Sequence, residues 1–357
     1  MRKRKARIIW KRPEAKEGKP RLPQNGLVAK EKPESSGGSG KKGAKQTMRK
    51  YIGKRLLQMI PVLFGVTFLT FLLLYLSPGD PAEKKLKAQG IAVSDEVVEQ
   101  VRQEMGLDRP FLIQYADWLF DALHGDLGTS YKDGRSVTEK LAEGMGNTLI
   151  LSLASLFFSL LLSVPLALYT AVRNNHFSDY LIRFLTFVGN SVPSFLLSVL
   201  LIYFFCIQLK WFPVIAKGTL QGLFLPTLAL SIPMISRFIR QFRAEFLEQL
   251  SQEYVTGARV RHVKEHLILL CNVLHNSMMP ILTIVGLSVG TLMGGSVVIE
   301  TIFMWPGLGK LVMDSITARD YPVIQGFVIL MAVLYVGINL LIDISYRVFD
   351  PRTQSVQ

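Results

Sequence analysis

Cysteine is almost missing from this chain: there are two in 357 residues, Cys206 and Cys271. One falls in an apolar run and the other in a charged loop, so no disulfide framework is implied and both read as inert thiols. A nucleotide-binding loop is missing as well. The run Ser35-Ser36-Gly37-Gly38-Ser39-Gly40-Lys41-Lys42 comes near one. It fails the G-x-x-x-x-G-K-[ST] spacing and follows no strand, so this chain holds no nucleotide site of that type. Charge is also scarce in six separate apolar stretches of the chain. Each is near the roughly 20 helical residues that a hydrocarbon core of about 30 Å requires. An open sheet is excluded there, because lipid leaves its edge hydrogen bonds unsatisfied. The fold class expected is all-α, a polytopic membrane protein with six transmembrane helices.

The charge that is present is unevenly placed. The formal net charge is +14, yet residues 1–50 hold 17 Lys/Arg and four Glu, a net of +13. The excess therefore belongs to a tail rich in Lys, Pro, Gly and Ser, and not to a nucleic-acid-binding face. Residues 1–47 read as a disordered, cytoplasmic, basic segment that fixes topology and meets anionic lipid. Met48 opens a more economical start, so a true extension and an upstream start both stay open. The first span, about Leu56–Leu76 within a unit 48–77, lies too far from the terminus for a secretory signal, and SPGDPA offers no A-x-A cleavage site.

Residues 77–147 carry eight Lys/Arg and 13 Asp/Glu, which fits an external loop, bounded in the domain division as 78–147. Within it Val97, Val101 and Met105 form one amphipathic stripe. Ile113, Trp118, Leu119, Ala122 and Leu123 form another, so short external helices are expected. A five-helix core, 148–352, comes next. Its spans are about Thr148–Val172, Phe184–Leu209, Leu223–Ser236, Pro280–Phe303 and Val323–Tyr346. The positive-inside rule places both termini in the cytoplasm. Asn190, Ser191, Pro193 and Ser194 interrupt the third span, where polar groups face protein or a water-filled path. Gly286, Gly290 and Gly294 form a small-residue ladder in the fifth, suited to close helix packing in the subunit or against a partner. Glu300, near the end of that span, reads as a helix-end anchor, and Asp320 as turn chemistry.

Residues 237–278 are the segment that needs explaining: 42 residues with six Lys/Arg and four Glu between two apolar runs. Phe238, Phe242, Phe246, Leu250 and Tyr254 recur every four residues and make one apolar stripe. Ser251 is placed to cap a new helix, with Glu253 in its first turn and Pro280 in the first turn of the next span. The expected order is helix, capped turn, short helix and charged return.

These motifs carry a family resemblance. The run Glu253-Tyr254-Val255-Thr256-Gly257-Ala258-Arg259, with His275-Asn276 up to Pro280, resembles the coupling signature of permease subunits of bacterial ABC importers for dipeptides, oligopeptides and nickel. Gly294-Gly295-Ser296 through Glu300-Thr301-Ile302-Phe303, Trp305-Pro306-Gly307-Leu308-Gly309, Arg319-Asp320-Tyr321-Pro322 and Asp350-Pro351-Arg352 are similar to it too. In the external loop Gly106-Leu107-Asp108-Arg109-Pro110 and Leu127-Gly128-Thr129-Ser130-Tyr131 also fit. The likeness spans about residues 48–352. Two departures stand out besides the long tail. His262 occupies a position where the family usually has Gly, and Gly257 one where it usually has Ala.

The resemblance implies a type I ABC importer permease fold. It further implies a second homologous permease subunit, two ATP-binding subunits and an extracytoplasmic substrate-binding protein as partners. The chain itself would be no enzyme, with no cofactor and no bound metal. Glu253, Tyr254, Gly257, Ala258, Arg259, His262 and Pro280 would couple to the ATPases. Asn190, Ser191, Ser194, Gly286, Gly290 and Gly294 would serve the path or helix packing. The cargo would be peptides or nickel chelates. The alternatives are a metal-chelate-specific importer, a secondary transporter and a membrane zinc peptidase. A secondary transporter favours intramembrane charges and repeated broken helices, and these spans hold few charges. The peptidase rests on His262-Val263-Lys264-Glu265-His266, an H-x-x-E-H pattern whose third ligand is not evident.

Overall fold

The computed structural model describes residues 39–349 except 89 and 91–93. Backbone contacts divide the chain into two units, Met1–Lys50 and Tyr51–Gln357, and the second holds the membrane domain. Among the described residues there is no strand, only an isolated bridge between Thr129 and Ser136. The expected disordered tail lies largely outside the described residues, as does Asp350-Pro351-Arg352. Where the two overlap they differ: helix α1 spans Ser39–Tyr75. Lys, Ala, Gln and Met are good helix formers, and extending an existing helix is far easier than nucleating one.

The short elements α2 (Pro81–Ala88), α3 (Asp95–Glu104) and α4 (Phe111–Leu123) come after it. Helix α4 lies against α1 through aromatic edges. Tyr115 meets Phe64, Phe68 and Phe71 at centroid distances of 5.3–5.8 Å, and its hydroxyl bonds Thr67 Oγ1 at 2.9 Å. The packed face is therefore Phe111, Tyr115 and Trp118, with Tyr115 buried and the other two half-buried. Ile113 and Leu123, expected on it, are exposed, because aromatic pairing outweighs the aliphatic stripe.

The core is built from α5 (Val137–Val172) and α8 (Leu220–Leu250). Ser152, Ser155, Ser159, Ser163 and Ala167 form a buried small-residue seam on α5, and Ser231 of α8 donates to the Ser155 carbonyl at 3.1 Å. Small side chains let two long helices approach closely where lipid gives no hydrophobic drive between them. The fourth span continues unbroken through Pro226 and Pro233 into the charged segment, as its stripe requires.

The third span is not one straight helix. Helix α6 (Phe177–Ser191) and α7 (Ser194–Leu201), prolonged as a π-helix over Ile202–Gln208, meet at 97°. Pro193 has no N–H to give to a continuing helix and biases Val192 to the extended region, where it sits at ψ 122°. The polar cluster Asn190, Ser191 and Ser194 marks this break. With the pair taken as one span, the described residues contain six candidate spans, five of them single long helices.

After α9 (Glu253–Val260) and the one-turn α10 (Glu265–Leu267), a π-helix over Ile268–Val273 leads into α11 (Leu274–Ile302). Pro280 lies inside α11 and not in its first turn, so the expected span start is corrected to an earlier residue. Helices α12 (Leu308–Ala318) and α13 (Tyr321–Phe349) are the last elements among the described residues.

Candidate functional site

Helix α8 projects beyond its apolar half and ends in α9. Phe238, Phe242 and Phe246 are fully buried, and Phe238 stacks on Phe242 at 5.0 Å. Each such burial contributes about 1.5–3 kcal/mol, so the projecting part is held rigidly. The turn at Ser251–Gln252 then starts α9. Ser251 does not cap α9: its hydroxyl donates back to the Glu248 carbonyl at 2.7 Å, and Gln252 is the residue before the first turn. The cap is spent on closing α8. Glu253 does stand in the first turn, where the helix dipole favours its charge.

Only one side of α9 is seated. Val255 and Ala258 are buried in the main core, while Glu253, Thr256, Gly257, Arg259 and Val260 are open. Ala258, expected to couple to the ATPases, is therefore not on the open face. Gly257 is, with nothing within 4 Å of where a Cβ would stand. Tyr254 donates to Gln249 Oε1 at 3.0 Å, and Arg259 grips Glu265 at 2.6 Å, so both ends of the short helix are tied down.

His262 closes α9 in the left-handed region at φ +56°. Its N–H reaches the Arg259 carbonyl at 2.9 Å, and Val263 N–H reaches Ala258 at 3.1 Å. This is a Schellman stop, whose special position glycine usually fills. The departure located in the sequence thus falls on the residue whose backbone is unusual. It also separates the two histidines of the H-x-x-E-H pattern: His262 sits in the turn, and α10 begins only at Glu265, whose carboxylate is engaged by Arg259. Among the described residues, no group of three or more His, Cys, Asp or Glu is arranged to hold a metal ion.

A second set of contacts at this end was missed by sequence reasoning. Arg243 of α8 donates Nε and Nη2 to the two oxygens of Asp179 on α6, at 2.9 and 2.8 Å, and Nη2 also reaches Asn174 Oδ1 at 2.8 Å. Asp179 is fully buried. The available signal was a lone acid in a basic turn.

The opposite end is fastened by two polar knots. Glu300 accepts from Thr148 Oγ1 (2.9 Å), Gly309 N–H (2.7 Å) and Lys310 N–H (3.4 Å), so it anchors the N-terminus of α12. A Cβ at Gly307 would lie 2.4 Å from Glu300 Oε2, and one at Gly309 2.4 Å from the Val297 Cα, which explains both glycines. Asp320 accepts from Ser130 Oγ and from Tyr131 N–H (2.9 Å), joining two separate motifs. Burial, then the charge of Asp320, push the Tyr131 phenol up. Burial alone would raise the nearby Asp133 carboxyl, but hydrogen bonds from Lys140, Ser130 and the Arg135 N–H, and the Lys140 charge, bring it down to about 2.

The remaining expected residues are dispersed. Asn190 and Ser191 are exposed at the 97° break and Ser194 is half-buried there. Gly286 and Gly290 face α13 within the same chain: a Cβ would stand 2.6 Å from Ile342 and 2.9 Å from Tyr335. Gly294 faces open space. His275 is exposed beyond the π-helix.

Comparison with known proteins bears on the family and the fold. Residues 163–355 match the binding-protein-dependent transport system inner membrane component, and residues 48–154 the N-terminal membrane component of such systems. The glutathione transport system permease protein GsiC of Escherichia coli O6:H1 is 38% identical over 304 residues, 85% of this chain and 98% of that protein. GsiC of Salmonella typhimurium is 39% identical over the same coverage. A solved structure, the MetNI methionine ABC transporter in an inward-facing form, aligns with TM-score 0.50 at 16% identity, covering 59% of this chain and 96% of that one, and so supports the fold. This chain accordingly belongs to the inner membrane components of binding-protein-dependent ABC importers, and is a multi-pass permease subunit.

Proposed function

We propose that this chain forms half of a translocation path for small peptides, paired with a homologous permease. One of two ATPases receives α9, and an extracytoplasmic binding protein delivers cargo at the Glu300–Asp320 end. Both termini then lie in the cytoplasm, and energy comes from the partners, the chain itself hydrolysing nothing. The observation that carries this reading is the one-sided seating of α9 at the tip of an unbroken α8. An open helix held by a stiff arm transmits a push. Asn190, exposed in the middle of a broken span, fits a wet path, since lipid would leave such a side chain unsatisfied, whereas the neighbouring Ser191 hydroxyl donates to the Phe187 carbonyl at 2.8 Å. Peptide-like cargo is favoured over nickel chelates because both GsiC relatives carry the name of a glutathione transporter.

The test is reconstitution in proteoliposomes with the partner permease, the ATPases and the binding protein. ATP-dependent uptake of labelled glutathione or dipeptides is expected. Uptake of a nickel chelate alone would move the cargo to metal. Uptake persisting without ATPases would replace the importer by a secondary transporter.

A further inference from the structure

Arg243 and Asp179 form the most deeply buried ion pair among the described residues, and docking of ATPases on α9 leaves it without a role. Its environment is unusual for a staple. Asp179 is fully buried in the first turn of α6, and its Oδ2 also takes the Asn175 N–H at 3.1 Å. Arg183, one turn on, approaches Oδ1 at 3.4 Å. Arg243, 14% exposed, closes the site with a two-pronged grip that only a planar guanidinium provides. A buried pair adds little net stability over apolar residues, because desolvation offsets the attraction, so its geometry is the more informative feature.

That geometry links α8 to the broken third span. Arg243 lies two turns before the end of α8, hence just before the turn into α9. Asp179 opens α6, which ends at the 97° break. The two helices touch a second time at Gly189, where a Cβ would stand 2.5 Å from Ser236 Oγ. The two fastenings are about 15 Å apart along α6 at 1.5 Å per residue. Helices fixed at two such points cannot slide or pivot independently. A displacement entering α8 from α9 must then carry α6 with it. The extended residues Val192 and Pro193, which lack a continuous hydrogen-bond ladder, are where the movement is released relative to α7.

We propose that Arg243 and Asp179 are positioning residues for coupling: their bidentate pair makes α6 follow α8, so that movement of α9 reaches the broken third span. This rests on the assignment of α9 as the ATPase contact. Two variants test it in the reconstituted importer. Arg243→Lys keeps the charge and loses the fork. Asp179→Leu with Arg243→Met replaces the pair by apolar side chains, so that neither charge of the pair is left buried alone if Arg243→Lys is poorly assembled. ATP hydrolysis stimulated by loaded binding protein and uptake of labelled peptide are measured on the same vesicles. In both variants hydrolysis is expected to stay within about twofold of the parent, while uptake per ATP falls about tenfold. A merely structural pair would lower assembly and leave that ratio unchanged, and an unchanged ratio in either variant overturns the proposal. Parent vesicles that hydrolyse ATP without any coupled uptake would overturn the assignment of α9 and the linkage together.

Discussion

His262 bears a backbone conformation that its side chain resists. A left-handed residue with a Cβ costs about 1–2 kcal/mol relative to the right-handed form, and glycine escapes that penalty at some entropic loss in the unfolded chain. His262→Gly should therefore raise the thermal stability of the purified protein by up to about 1 kcal/mol, with ATPase co-purification and transport preserved. Loss of co-purification would mean that the imidazole itself touches the partner. The neighbouring small residues divide differently. Gly257 has open space where a Cβ would go, so Gly257→Ala should stabilise α9 by about 0.5–1 kcal/mol and leave its seat on the core intact. Ala258 is 1% exposed, so Ala258→Leu should cost about 1–3 kcal/mol and unseat α9, read as reduced binding of the ATPases. Equal behaviour of the two variants would contradict the one-sided seat. Sequence alone assigned both residues to ATPase coupling, because adjacent helical positions differ by about 100° in direction and only packing reveals which side is covered.

Among the elements, the long apolar helices were legible because lipid forces a continuous run and the phenylalanine stripe keeps a strict spacing. The broken third span was legible only as its cause: Pro193 and the polar cluster were visible, but the 97° angle depends on how α6 packs on α8. The start of α11 was misplaced for a related reason. Proline is tolerated inside a membrane helix when neighbours satisfy the freed carbonyl, so Pro280 was no boundary. Glu300 was read only as an anchor at the end of its own span, and its clasp on α12 with Thr148 and two glycines was not foreseen, since residues 148 and 300 are distant in the chain. The clasp makes a prediction. Glu300→Gln replaces one acceptor oxygen by a donor facing the N–H groups of α12. A loss of about 1.5–3 kcal/mol is expected, with faster proteolysis after Lys310 in detergent. Unaltered melting and unaltered proteolysis would show that apolar contacts alone hold α12.

At the scale of the whole molecule, the charge asymmetry that sets orientation has a direct reporter in the two native thiols. Cys271 is exposed beside the coupling segment, and Cys206 is buried in the third span. If the basic α5–α6 turn and α9 lie in the cytoplasm, a membrane-impermeant maleimide should leave intact spheroplasts unlabelled. The same reagent should modify one thiol per chain in inverted vesicles. Cys271→Ser should then abolish the signal, because Cys206 has its sulfur directed to the Pro213 carbonyl and is shielded from solvent. Labelling of intact spheroplasts would invert the whole arrangement: it would place α9 where no ATPase can reach it and put the Glu300 and Asp320 knots inside. The two faces differ in construction in the sense that the importer reading requires. The α9 end offers a helix with one open side on a stiff arm, suited to receiving a push. The opposite end is tied by Asp320 to Ser130 and Tyr131 and by Glu300 to Thr148, suited to holding its loops still while cargo is delivered.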